Sequence, residues 1–194
     1  MTRTVYYTAT TLDGYIADQH DSLDWLFVQD IDPAGPNGYE EFFAGVGALV
    51  MGRTTYEWVR EHLRATAEAW SYSVPTWVVT HAKLSAIDGA DLRFAEGPVA
   101  PIHADATQAA GGKDVWIVGG GDLAGQFADA GLLDQLVVSI APVTLGGGRP
   151  LFPRRADLTL RELAQNRAFV CATYDVRKRH GDRGEGPGSP PAAS

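Results

Sequence analysis

The sequence predicts an α/β protein: a mixed, mostly parallel sheet flanked by helices, with an antiparallel C-terminal hairpin at one edge. Three observations lead there. Strand-like runs recur along the whole chain and alternate with segments of helical character, the rhythm of parallel strands joined by helical crossovers. The run Val115, Trp116, Ile117, Val118 is apolar without interruption, as a buried strand is. The last two runs, in "LTLRELAQNRAFVCATYDVRKR", are separated only by the polar break Gln165, Asn166 and Arg167, which suits a hairpin.

The strand runs, in order, are "RTVYYTATT", "GALVMG", "TWVVT", "DLRFA", "VWIVGG" and "LLDQLVVSIAPV", followed by the hairpin. Between them Gly38 to Ala44 forms a short candidate helix, Thr54 to Ala69 a longer one, Ile102 to Ala110 a weaker one and Leu123 to Ala130 another, the last with Leu123, Phe127 and Leu132 or Leu133 at near-helical spacing. Two long segments read as loops, "ADQHDSLDWLFVQDIDPAGPNG" and "TLGGGRPLFP"; loops of that length in a compact domain are more often functional than incidental. Residues 1–180 are expected to form one domain. The remainder, 181–194, is expected to be a disordered tail, because "HGDRGEGPGSPPAAS" is dense in Gly, Pro and Ser and has no apolar period.

With 194 residues, 45% hydrophobic and 21% charged, the chain suits one soluble domain with a well-buried core. A formal charge of -8 leaves no general attraction for nucleic acid or an anionic membrane, so any phosphate must be bound locally. Cys171 is the single cysteine and alternates as a small strand residue. No apolar run is long enough to span a bilayer and the start "MTRTVYYTAT" lacks signal-peptide character, so the cytoplasm is the expected compartment.

The stretch "DVWIVGGGDLAGQF" places Gly119, Gly120 and Gly121 between a buried strand and a helix. Two readings are open: a tight turn, or a helix start whose free amides and dipole receive a phosphate that the missing Cβ atoms let come close. The triplet followed by Asp122 is not the GxGxxG of a Rossmann unit. "GALVMGRTTYEWV" repeats the layout, with Gly52 ending a strand and Arg53, Thr54 and Thr55 opening a helix; the hydroxyls could cap the helix or meet a phosphate, and Arg53 adds a permanent cation. "TWVVT" ends in Thr80 and His81, with Lys83 close behind. Ligands of open α/β sheets bind outside the carboxyl ends of the strands, where all three junctions lie.

"TATTLDGYIAD", "MGRTTYEWV", "TWVVTHAKL", "VWIVGGGDLAGQF" and "QLVVSIAPVTLGGGRPLFP", in this order and spacing, resemble the dihydrofolate reductase fold family. The likeness is greatest to the C-terminal reductase domain of the bifunctional riboflavin-biosynthesis deaminase-reductase and its stand-alone relatives. It runs from about Val5 to Arg177. It implies NADPH as cofactor. Gly52, Arg53, Thr54 and Thr55 match the helix start that holds the adenosine-side phosphates, and Thr80, His81 and Lys83 the strand end around the 2′-phosphate. Gly119, Gly120 and Gly121, with Asp122 and Leu123, match the turn under the pyrophosphate; Ala9, Ile16 and Ala17 match the strand and loop that cover the nicotinamide.

For the substrate half, the resemblance implies reduction of 5-amino-6-(5-phosphoribosylamino)uracil to its ribityl product, with Asp13 near the sugar as proton relay and Ser139 as a substrate-contacting hydroxyl. Asp13 is also readable as a turn cap, since Asp-Gly is a turn signal, and Ser139 as a buried strand serine. Trp25 and Phe152 are pocket walls or core. Arg149, Arg154 and Arg155 are candidates for a substrate phosphate. Glu40 and Glu41 lie near the carboxylate that holds a pterin in dihydrofolate reductases without aligning to it, which leaves a pterin or other small heterocycle as the alternative substrate. With His20, His62, His81, His103 and His180 scattered and one cysteine, neither a zinc deaminase signature nor another metal site is expected. The relatives imply a homodimer. A non-catalytic NADPH-binding module is the alternative from a different class.

Overall fold

The computed structural model describes residues 1–178, so the expected tail and domain limit lie outside the described residues. The strands are β1 (Thr4–Thr11), β2 (Tyr15–Ala17), β3 (Val46–Gly52), β4 (Thr76–Val79), β5 (Leu92–Ala95), β6 (Asp114–Gly119), β7 (Gln135–Ala141), β8 (Arg149–Pro150), β9 (Leu158–Asn166) and β10 (Phe169–Val176). The helices are α1 (Asp24–Phe27), α2 (Tyr39–Ala44), α3 (Arg53–Thr66), α4 (Val99–Ala109) and α5 (Gly121–Asp129).

Eight strands form one sheet in the order β5-β4-β3-β6-β1-β7-β10-β9. The pairs from β5 through β7 are parallel, and β10 is antiparallel to both β7 and β9. This is the expected mixed sheet with an antiparallel edge. The chain reverses direction across the sheet at β6, which returns to lie between β3 and β1. Such a switch point leaves a crevice at the carboxyl ends of the strands.

Both faces are covered. Tyr6, Val50, Ile117, Phe127 and Val138 belong to a core under α4 and α5, and Leu49, Met51, Tyr56 and Trp116 to a second core against α3. Full burial of a side chain such as Phe127 stabilises by about 1.5–3 kcal/mol. A smaller cluster joins Trp25, Ala141, Phe169 and Cys171, so the thiol is the core residue its alternation predicts.

The helices differ from expectation at their ends. The long helix stops at Thr66 because Ala67 turns left-handed, with φ of 57°. The weaker helix begins at Val99 rather than Ile102, since Pro101 stands in the first turn, where no backbone donor is needed. The two long loops also carry structure. The first holds α1 and the second β8, which pairs with β2 at the first loop's start, and a side chain at Gly148 would overlap the Ala17 carbonyl oxygen. In the hairpin, Arg167 takes the turn with φ of 48°, while Asn166 is buried and hydrogen-bonds Asp32 and the Pro36 carbonyl.

Candidate active site

Two parallel neighbours, β3 and β6, run directly into α3 and α5. The N-caps of these helices, Gly52 and Gly120, have no side-chain capping bond, so the first-turn amides are left to solvent or ligand. The two helix starts abut: a Cβ on Gly52 would lie 3.8 Å from the Gly119 carbonyl oxygen and 3.9 Å from the Gly120 nitrogen. Two positive dipole ends therefore face one space.

That space is a cleft of about 500 Å³. Thr8 of β1 and Ile16, Ala17, Asp21 and Leu23 of the following loop line one side. Gly52, Arg53, Thr54, Thr55 and Trp58 line it from β3 and α3, and Val79 from β4. Val118 through Leu123 and Gln126 form the floor, and Arg149, Pro150 and Pro153 complete the rim.

The three glycines of the floor have separate reasons. A Cβ on Gly119 would come within 3.0 Å of Thr55 Oγ1, so its absence lets α3 approach β6. A Cβ on Gly121 would overlap the Leu151 and Pro150 carbonyl oxygens, so this position admits the chain around β8. Only Gly120 faces nothing closer than Ile16 Cδ1 at 4.0 Å. The room that the triplet leaves for a ligand is thus at Gly120, and the other two glycines serve the packing of the walls.

Charges in the cleft are largely paired. Arg53 bonds Glu57 through Nε at 3.0 Å and remains exposed. Arg149 grips Asp21 through Nε at 2.5 Å and a second nitrogen at 2.9 Å, which holds the Asp21 carboxyl below the usual carboxylate range. Asp122 accepts from Gln126 at 2.9 Å and from Arg154 at 2.5 Å.

The structure brings Ile16, Ala17, Gly52, Arg53, Thr54, Thr55, Gly119, Gly120, Gly121, Asp122 and Leu123 together around the cleft. It leaves others outside. Ala9 packs on the cluster around Trp25, and its neighbour Thr8 lines the cleft, because adjacent strand residues face opposite sides. Val79 ends β4 in the cleft wall; Thr80 next to it accepts from the Ala82 amide, His81 is 84% exposed opposite Glu96, and Lys83 is exposed.

Ser139 is buried, 3.4 Å from Asn37 Nδ2 and 3.7 Å from the Cys171 sulfur, and does not line the cleft. Phe152 packs on the core under α5. Trp25 is buried, and among the described residues its indole N–H has no hydrogen-bond partner. Glu40 and Glu41 are exposed, and Glu41 borders a separate depression between α2 and β10. Arg154 is committed to Asp122 and Asp129, and Arg155 borders a depression at the far end of α5.

The surroundings of Asp13 favour its reading as a turn cap. Its carboxylate accepts from Thr11 Oγ1 at 2.5 Å and from the amides of Leu145 and Gly146 at 3.1 and 2.7 Å, outside the cleft lining. The Thr11 hydroxyl, followed by these amides, holds its carboxyl below the ordinary value. The carboxylate is thus a latch that is complete near neutral pH and is lost only as pH falls through the lowered folded-state value. Asp13→Asn is expected to speed hydrogen exchange at Leu145 and Gly146 by roughly tenfold, without moving the pH profile of turnover. A shifted profile would return the residue to the chemistry.

Sequence reasoning missed Thr8, Asp21, Leu23, Trp58 and Gln126. The signal for Trp58 was present, since it lies one helical turn beyond Thr54 and Thr55. Nothing local marks Asp21, whose partner Arg149 is far along the chain. Among the described residues no group of three His, Cys, Asp or Glu could hold a metal ion, and no helix is long and apolar enough to cross a membrane.

Comparison with known proteins gives a consistent picture. Residues 60–173 match the family model of the RibD C-terminal domain. An uncharacterized Bacillus subtilis protein, YwjB, is 30% identical over 167 residues, covering 86% of this chain and 92% of its own length. A crystal structure of a putative riboflavin biosynthesis protein from Shewanella sp. PV-4 is 28% identical, covers 90% of this chain and 99% of its own, and has a TM-score of 0.76. Dihydrofolate reductase from Enterococcus faecalis, complexed with NADP(H), shares the fold at 17% identity with a TM-score of 0.55, covering 90% of this chain and 96% of its own. The chain therefore belongs to the RibD C-terminal domain family and has the dihydrofolate reductase-like fold.

Proposed function

We propose that the cleft binds NADPH and that the protein is an oxidoreductase passing hydride to a small ribosyl or heterocyclic substrate. One observation carries this reading: two uncapped helix starts, one bearing Arg53, open side by side into the same cleft. The residues fit the cofactor. Free first-turn amides and converging dipoles suit a pyrophosphate, and Gly120 lets its oxygens approach the backbone. Arg53, Thr54 and Thr55 then take the adenosine-side phosphates, with Thr80, His81 and Lys83 at the outer strand end beside them. A protein of the same fold, the Enterococcus dihydrofolate reductase, has a structure in complex with NADP(H), which agrees with this assignment.

The reduced nicotinamide supplies the hydride, and the protein's work is to align it and exclude water. Thr8, Ile16, Ala17 and Leu23 line the wall that would cover the reacting ring, and the Arg149–Asp21 pair holds the loop after β2 to β8. The preferred substrate is 5-amino-6-(5-phosphoribosylamino)uracil, on the strength of the family and the Shewanella relative. A pterin is the alternative within the class, and a non-catalytic NADPH-binding module the alternative outside it.

The deciding experiment follows the absorbance of reduced nicotinamide. Consumption that depends on the pyrimidine ribosyl phosphate supports the preferred substrate, and consumption with dihydrofolate alone moves the assignment to the pterin. Binding of NADPH without consumption by either removes the enzyme, and absence of binding removes the whole reading.

The protein is further proposed to work as a homodimer in the cytoplasm. Leu158, Leu160, Leu163 and Val170 are 37, 52, 61 and 46% exposed. The β9–β10 register places them on one face of the hairpin, an exposed apolar stripe that a second copy would cover. Replacing Leu160 and Leu163 together by Arg is expected to halve the mass measured by light scattering. An unchanged mass would place the contact elsewhere.

A further inference from the structure

Asp122 occupies the second position of α5, where an uncompensated acid would repel a phosphate held by the helix start. Its carboxylate is not left alone. Arg154 donates to Asp122 Oδ1 at 2.5 Å, to Asp129 Oδ2 at 3.2 Å and to the Pro153 carbonyl at 3.1 Å. Gln126 donates to the other Asp122 oxygen at 2.9 Å. The seat for the arginine is built into the helix. A Cβ on Gly125 would lie 2.5 Å from Arg154 Cγ, so the missing side chain admits the arginine stem. Glycine inside a helix weakens it, and here the packing of Arg154 is the reason it is present.

We propose that Arg154 is a positioning residue for cofactor binding: seated on Gly125, it neutralises Asp122 so that the α5 start can accept a pyrophosphate. This rests on the reading of the cleft as an NADPH site. With the guanidinium in place, Asp122 faces a positive charge that it shares with Asp129 at the far end of α5, so the remaining negative charge lies away from the helix start and the dipole and free amides act on the phosphate. With it gone, the same carboxylate opposes the ligand at short range. The arginine itself does not line the cleft, so its effect passes through Asp122.

The test is calorimetric titration with NADPH at low salt. Arg154→Met is expected to weaken binding by about five- to tenfold, and Gly125→Ala to do the same by displacing the arginine. Asp122→Asn alone is expected to bind at least as tightly as the unmodified protein. The double variant Asp122→Asn with Arg154→Met is expected to recover to within about twofold of it. A double variant as weak as Arg154→Met overturns the proposal, because the guanidinium would then act directly or through folding. Loss of affinity in Asp122→Asn, which keeps the arginine and its seat, overturns it independently of how well the other variants fold. If the unmodified protein binds NADPH and Arg154→Met binds equally well, only this proposal falls. If the unmodified protein does not bind, the functional reading falls with it.

Discussion

Gly121→Ala is expected to lower stability by about 2–3 kcal/mol, the cost of forcing an atom into a filled space, while Gly120→Ala stays within about 1 kcal/mol of the unmodified protein. The two positions are adjacent and both border the cleft, yet their surroundings differ. A Cβ on Gly121 meets main-chain oxygens of Pro150 and Leu151, which side-chain rotation cannot relieve. A Cβ on Gly120 meets only the end of the Ile16 side chain, and its backbone, at φ of −91°, is open to any residue. The methyl would instead stand where the pyrophosphate approaches, so NADPH binding should weaken by about tenfold or more. Urea denaturation and calorimetric titration separate the two effects. An unchanged urea midpoint for Gly121→Ala would show that the segment around β8 is not fixed against α5.

Arg53→Ala should raise the dissociation constant for NADPH by about ten- to hundredfold and leave that for NADH nearly unchanged. A charge-assisted bond to a phosphate contributes about 1.5–3 kcal/mol, and only NADPH carries the 2′-phosphate. Among the described residues Arg53 is tied only to Glu57, in an exposed pair of a kind that contributes little. Its loss should therefore not unfold the protein, and thermal melting should move by no more than a degree or two. Because the site is open to solvent, the preference for NADPH should shrink as salt is added. Equal weakening of both nucleotides would move Arg53 from the 2′-phosphate to the part they share.

Much of the cleft was legible because it is built from junctions. A buried apolar run followed by glycine and then a helical period marks a strand entering a helix, and Gly52 and Gly120 both stand at such points. Parallel strands place these junctions at one end of the sheet, so local patterns were enough to gather Arg53, Thr54, Thr55 and the glycine triplet. The substrate half was less legible. Asp13 carries a turn signal and a relay's chemistry equally well, and its choice between them depends on the amides of Leu145 and Gly146. Ala9 and Thr8 differ by one residue, and a strand pattern polar and apolar by turns does not say which of its faces a distant loop will cover.

The sequence alone determined the principal strands and helices, that the sheet is largely parallel, and that β3 and β6 each end in a glycine-marked helix start, while β2, α1 and β8 escaped it. These follow from periodicity, glycine placement and helix polarity, all of which act over a few residues. The tertiary structure decided what each special residue is for. Gly121 serves the carbonyls of Pro150 and Leu151, Gly148 admits β2, Gly125 seats Arg154, and Asp21 finds Arg149. Each of these is a meeting of surfaces well separated along the chain, and close packing leaves each such contact one side chain, or the lack of one, that fits.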